Sequence, residues 1–130
     1  LKRLDSMVKK RAKNFELFLD LLPSWCFKDF NLEGQSNYAF NLILNEPDRE
    51  LMKNLQSRLE ENGIEYRRGS AGGGNQMRQP YVRERYLFSD EDIKKIAPIT
   101  DHVHFYGMYL GNYPELDKSS IEEIVKVIKG

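Results

Sequence analysis

Cysteine is nearly absent: Cys26 is the single copy in 130 residues. No internal disulfide can form, and a tetrahedral cysteine zinc site is excluded. Net charge is absent too, because 20 Lys+Arg offset 20 Asp+Glu. That balance argues against a general polyanion binder, since neutralising phosphates over a whole face needs a cationic surplus. No apolar run approaches the roughly 18 residues that a membrane span requires. The charged, amphipathic start from Leu1 has no secretory signal pattern, so the expected compartment is a reducing cytoplasm. Internal repeats and low-complexity tracts are also missing. What is there can fill one core: the chain is 40% hydrophobic and 12% aromatic, against 31% charged residues and a mean hydropathy of −0.64. It begins inside a helical pattern rather than at a methionine, so the expectation is a piece of something longer.

Leu1, Leu4, Val8, Ala12, Phe15, Leu19 and Leu22 recur at spacings of three and four, the stripe of an amphipathic helix. Lysines and arginines between positions 2 and 13 make its other face a solvated basic one, and Pro23 stops it. Tyr38 to Leu44 is rich in β-formers and predicts a buried strand. A helix follows, with Pro47 suited to its first turn, Asp48 and Glu50 at its positive end, Leu51, Leu55 and Leu59 on one face, and Gly63 as its left-handed cap. Ile64–Arg67 predicts a short strand. Residues 68–88 are expected to be irregular. Ser89 caps a short helix to Ile96, which Pro98 closes, and His102–Leu110 predicts a second strong strand. Ser119 and Glu122 form a capping box for a last helix carrying Ile121, Ile124, Val125 and Ile128. The β-α-β order makes this an α/β unit, with a two-layer sandwich and a three-layer arrangement both compatible.

The chemistry concentrates around Gly69-Ser-Ala-Gly-Gly-Gly-Asn75. This is not a Walker loop, because Asn75 and Gln76 stand where Lys and Ser/Thr must, and Met77 spoils a dinucleotide fingerprint. What remains is glycine backbone among Arg67, Arg68, Arg78, Arg83 and Arg85. Arginine forks match phosphate oxygens, so a phosphate-bearing substrate and a flexible loop with solvated arginines are both open. His102 and His104 alternate by two and would share one face of a strand, together with Tyr106. With no further histidine or nearby cysteine they make a poor metal pair, and one histidine donating to a substrate or carboxylate fits better. Phe105, Tyr106, Tyr109 and Tyr113 are expected mostly in the core. Cys26 beside Trp25 has no local base and is expected to be packing rather than a nucleophile. No catalytic triad or carboxylate pair stands out.

Four segments spanning most of the chain resemble one family. Leu1-Lys-Arg-Leu-Asp-Ser-Met-Val-Lys-Lys-Arg-Ala-Lys-Asn14 is similar to an "L-x-x-L-D" then "K-R-x-x-N" linking helix, and Ser36-Asn-Tyr-Ala-Phe-Asn-Leu42 to the strand after it. Asn62-Gly-Ile-Glu-Tyr66 resembles an "L-x-x-x-G-I" turn, and His104-Phe-Tyr-Gly-Met-Tyr-Leu-Gly-Asn-Tyr-Pro114 the segment before the last helix. Together they resemble the C-terminal small domain of the DegT-type pyridoxal-phosphate-dependent sugar aminotransferases and dehydratases. Gly73-Gly-Asn-Gln-Met-Arg-Gln-Pro-Tyr81 replaces a Pro-Leu-His type segment and looks like the branch acting on nucleotide-linked 4-keto-6-deoxysugars, including 3-dehydratases.

The resemblance implies a linking helix over 1–22 and a small α/β domain over 23–130, with a few-stranded sheet covered by helices. It implies a large N-terminal domain of a fold-type-I enzyme that holds most of the pyridoxal phosphate and supplies the lysine, or histidine, of the cofactor position. None of the lysines here takes that role, and no residue of this chain is catalytic, cofactor-binding or metal-binding. Asn75, Arg78, Gln79 and His104 are implied as substrate-side residues. The implied setting is a cytoplasmic homodimer making sugars for polysaccharide or lipopolysaccharide, with a nucleotide-sugar substrate and neither nucleic acid nor membrane as partner. The alternatives are a stand-alone α/β module binding RNA or protein, for which Tyr106-Gly-Met-Tyr109 weakly resembles an RNA-recognition strand, and a regulatory or scaffolding domain with no ligand.

Overall fold

The structure is a computed structural model and describes residues 3–69 and 74–130. Leu1 of the first stripe and Gly72 and Gly73 of the glycine loop lie outside the described residues.

The first stripe becomes helix α1, Leu4–Leu21. Its C-terminal half is the anchored part: Phe15, Phe18 and Leu19 are buried, whereas Leu4 is exposed. Leu22 turns to extended geometry (ψ 148°), as a residue before proline must, and Pro23 ends the helix. Strand β1, Ala39–Ile43, alternates its side chains across the sheet. Helix α2 spans Arg49–Glu61, with the Asp48 carboxylate accepting from the Leu51 N–H at 2.9 Å. Asp48 is therefore the cap, and Pro47 lies just before the helix instead of in its first turn. Gly63, at φ +65°, reverses the chain into strand β2, Tyr66–Arg68.

The segment 74–88 is more regular than the composition suggested. A 3-10 turn covers Gln76–Arg78, and helix α3 spans Pro80–Tyr86 with Pro80 in its first turn. Helix α4, Asp90–Ile96, carries the expected Ser89 cap, reciprocated by Asp92.

The largest departure comes next. α4 ends at Ile96 as expected, but Pro98 also opens helix α5, Pro98–Tyr106, and strand β3 is confined to Gly107–Gly111. The strand is short because its partner is. Ala39–Ile43 pair with 107–111, Leu44 still donates to the Tyr106 carbonyl at 3.0 Å, and then β1 swings away to bridge Cys26. Residues before Tyr106 have no strand to pair with, and a proline at N1 with Asp101 in the first turn favours helix instead. Arg68 donates to the Phe105 carbonyl at that helix's end. Helix α6, Lys118–Lys129, is capped by Asp117, which accepts from Ser120 N–H at 2.8 Å, so the Ser119/Glu122 capping box does not form.

The sheet order is β1-β3-β2, both pairings antiparallel. Phe40, Leu42, Met108 and Leu110 on one face join Phe15, Phe18 and Leu19 of α1, Leu55 and Leu59 of α2, and Ile121, Val125 and Ile128 of α6 in a single core. Phe18 stacks on Phe40 at 4.4 Å between centroids, a contact worth about 1 kcal/mol beyond its burial. Asn14 of α1 donates to the carbonyls of Tyr113 and Leu116, and Arg58 of α2 donates to the last carbonyls of α6. These contacts make a two-layer α/β sandwich. The other sheet face carries Asn41, Ile43, Tyr109 and Arg67 and is not part of that core.

Candidate functional site

The pairing register puts Asn41, Tyr109 and Arg67 in one row across the three strands. Tyr38 meets Tyr109 edge-on at 6.2 Å. Above this floor lies a groove of about 500 Å³, whose far wall includes Gly69, Gly74, Asn75, Thr100, Val103 and His104. That size suits a small-molecule site. It continues past Tyr38, Arg67 and Tyr109 into a second groove of about 510 Å³ toward Tyr66 and Tyr113. Of the aromatic residues expected in the core, Tyr113 and Phe105 are exposed and Tyr106 and Tyr109 half-buried.

The groove wall is built from one carboxylate. Asp101 of α5 is 5% exposed. Arg78 grips it with a fork, Nε on Oδ1 and Nη2 on Oδ2 at 2.8 Å, and lies over the Phe105 ring at 4.5 Å. Its remaining Nη1 reaches Asp90 at 3.4 Å, where Arg83 also arrives at 3.0 Å. The buried Asn75 donates from Nδ2 to the same Asp101 Oδ1 at 3.2 Å, and its own Oδ1 accepts from Met77 N–H at 3.1 Å. A side-chain amide can do both at once, whereas an ionised carboxylate has no donor. The backbone N–H of Asn75 donates to His104 Nδ1 at 3.2 Å.

The charges follow. Hydrogen bonding to Arg78 holds the Asp101 carboxyl below its usual range, and the same pair holds Arg78 above its own. Burial, then the Arg78 charge, pushes His104 down, which keeps the imidazole neutral near pH 7. Glycine is required at the neck for the close approach of backbone to backbone and to a ring: a Cβ on Gly69 would lie 2.8 Å from Gly74 Cα, and one on Gly74 would run into His104 Nδ1.

Three of the four expected site residues therefore converge. Asn75 and His104 line the groove, and Arg78 stands behind them with its fork taken up by Asp101. Gln79 contributes as the N-cap of α3 through its backbone carbonyl, which accepts from Val82 and Arg83 N–H at 3.0 Å. Arg67 projects into solvent with its side chain 64% exposed, and Arg68 is held by Gln56 and Phe105. His102 and His104 do not share a face: being two apart on a helix, they point different ways. His102 Nε2 donates to the Leu44 carbonyl at 2.6 Å and packs on Tyr106. Tyr106 ends a helix, so the likeness of 106–109 to an RNA-recognition strand is lost. Among the described residues no group of three His, Cys, Asp or Glu could hold a metal, and no helix is long and apolar enough to cross a membrane. Cys26 is sealed in the core and burial raises its thiol to about 12, an inert packing residue as expected.

Sequence reasoning missed Asp101. Its signal was the helical spacing Pro98-x-x-Asp101-x-x-His104-Phe105, which puts Asp101, His104 and Phe105 on one face. It also missed Asn41, because a polar residue inside an apolar strand reads as noise until the open sheet face is known.

No family model matches the chain. It is 30% identical over 132 aligned positions to the GDP-4-keto-6-deoxy-D-mannose 3-dehydratase of Yersinia pseudotuberculosis, covering 99% of this chain and 32% of the relative. The chain thus spans about a third of the length of the curated relative it matches. Among solved structures it superposes on the E coli GDP-4-keto-6-deoxy-D-mannose-3-dehydratase with bound hydrated PLP, at a TM-score of 0.68, 22% identity, and 98% and 32% coverage of the two chains. A candidate sugar aminotransferase of Streptococcus pneumoniae, in its apo form, matches at a TM-score of 0.75 with 12% identity, covering 99% of this chain and 31% of that one. At these identities the structures show a shared fold, that of one part of a pyridoxal-phosphate enzyme.

Proposed function

We propose that this chain, a homologue along nearly its whole length of one third of a pyridoxal-phosphate-dependent deoxysugar dehydratase, is the small domain of an enzyme acting on nucleotide-linked keto-deoxysugars. The carrying observation is the 30% identity sustained over 99% of the chain, which includes the strands and loops that form the groove. In this reading residues 1–22 link the domain, residues 23–130, to a larger cofactor-binding one. The enzyme is a cytoplasmic homodimer, the reaction is 3-dehydration or amine transfer, and the sugar is destined for polysaccharide or lipopolysaccharide.

Every described lysine is exposed and none lines the groove, so the residues present do not supply a covalent anchor for the cofactor. When bound elsewhere in the enzyme, pyridoxal phosphate supplies an electron sink beside the reacting carbon. The contribution of this chain is binding and orientation. Arg67, exposed and only loosely paired with Glu65 at 3.8 Å, offers its guanidinium to phosphate oxygens, His104 and Asn41 hydrogen-bond sugar hydroxyls, and Tyr109 with Tyr38 set edge-on against it gives an aromatic floor. Arg78, Gln79 and Asn75 shape the wall that the sugar meets. Precise placement of this kind lowers the barrier without a reacting group in the domain.

The test uses the intact polypeptide loaded with pyridoxal phosphate and offered a GDP-linked 4-keto-6-deoxyhexose. Arg67→Ala should raise KM about tenfold, the loss of one charge-assisted hydrogen bond, with kcat less affected. Absence of turnover, or an unchanged KM, overturns the reading.

A further inference from the structure

We propose that Asp101 is a positioning residue which, through Arg78 and Asn75, holds His104 in the single tautomer that carries its proton on Nε2, so that the ring presents a fixed donor to the groove. A nitrogen that accepts a hydrogen bond carries no proton, and His104 Nδ1 accepts from the Asn75 N–H at 3.2 Å. In a neutral imidazole the proton then sits on Nε2. Among the described residues nothing hydrogen-bonds to Nε2, and the ring lines the groove.

The tautomer therefore depends on where the Asn75 backbone is, and Asp101 decides that. Its Oδ1 takes the Asn75 carboxamide at 3.2 Å, and its two oxygens take the Arg78 fork. One buried carboxylate thus grips both ends of the turn 75–78. The other ties of that turn to α5 are the His104 bond itself and the stack of Arg78 on Phe105. The charged groups acting on His104 are Arg78, Asp101 and Arg68, and burial adds to the two arginines in disfavouring the doubly protonated ring. The geometry stands by itself; the idea that the donor serves a sugar substrate rests on the function proposed above.

The experiment is long-range ¹⁵N–¹H NMR of the histidine-labelled chain, which separates the two tautomers. The wild type should show His104 as the Nε2–H form alone at neutral pH. A predominantly Nδ1–H ring in the wild type overturns the proposal without any variant. Asp101→Ala should convert His104 to a mixture of both forms, while resonances of β1, α1 and α6 stay in place. Should that variant not fold, Asp101→Asn keeps an acceptor for Asn75 but loses the fork and should still populate the second form. A folded variant that retains the single Nε2–H form overturns the proposal. Binding of a nucleotide sugar is read in a separate titration: no binding with the tautomer change present would remove the functional reading and leave this one standing.

Discussion

Replacing Arg78 with alanine leaves the Asp101 carboxylate buried with only the Asn75 amide for a side-chain partner. Removing one member of a buried ion pair costs about 3–5 kcal/mol, because the survivor keeps its desolvation penalty and loses its compensation. The side chains of Arg78 and Asp101 are 11% and 8% exposed, so water offers little relief. The Asn75 bond remains, which puts the cost at the lower end, about 3 kcal/mol. The contact with Asp90 adds little, since that partner is 61% exposed. In a chain of this size about 3 kcal/mol corresponds to a fall in Tm of roughly 10 °C. Arg78→Lys keeps the charge but not the fork and should cost about half as much.

The pH dependence sets the sign. The folded Asp101 carboxyl lies below its ordinary value of 3.8. Its contribution is therefore fully present above the unfolded value and is lost as pH falls through the folded one. The gap between wild type and Arg78→Ala should be widest at neutral pH and should close in acid. Urea denaturation followed by circular dichroism, over a pH series, measures it. A gap under about 1 kcal/mol at neutral pH, or one that does not change in acid, would refute the argument that this pair is desolvated and coupled.

Gly74→Ala drives a methyl into His104 Nδ1 and places it 2.8 Å from the Gly69 carbonyl oxygen. Backbone bounds one side, so the clash is not relieved by a side-chain rotation alone. A cost of about 2 kcal/mol and displaced His104 ring resonances are expected, and unaltered stability with unaltered ring shifts would contradict the crowded neck. Cys26, with its thiol raised to about 12 by burial, should resist a disulfide reagent in mildly alkaline buffer until the chain unfolds. Labelling of the folded chain at the rate of a free cysteine would show that the thiol is not sealed.

The elements that local chemistry controls were legible in the amino-acid order alone. Pro23 had to end α1, Gly63 had to reverse the chain after α2, and the β-formers of Tyr38–Leu44 had to make a strand, although the expected burial holds for only one of its faces. The family resemblance, too, rested on such local signals. Only the tertiary structure decided the segment 98–111. His-Val-His-Phe-Tyr is compatible with helix and with strand, and the choice fell to the length of a partner strand lying some sixty residues earlier, with Pro98 tipping the balance. That choice then decided the site. A helix places Asp101 and His104 on one face and parts His104 from His102, so that a distant turn at Asn75–Arg78 closes onto one buried carboxylate. Hydrogen bonds between residues more than twenty positions apart leave no periodicity in a sequence, because chain folding alone sets which groups meet.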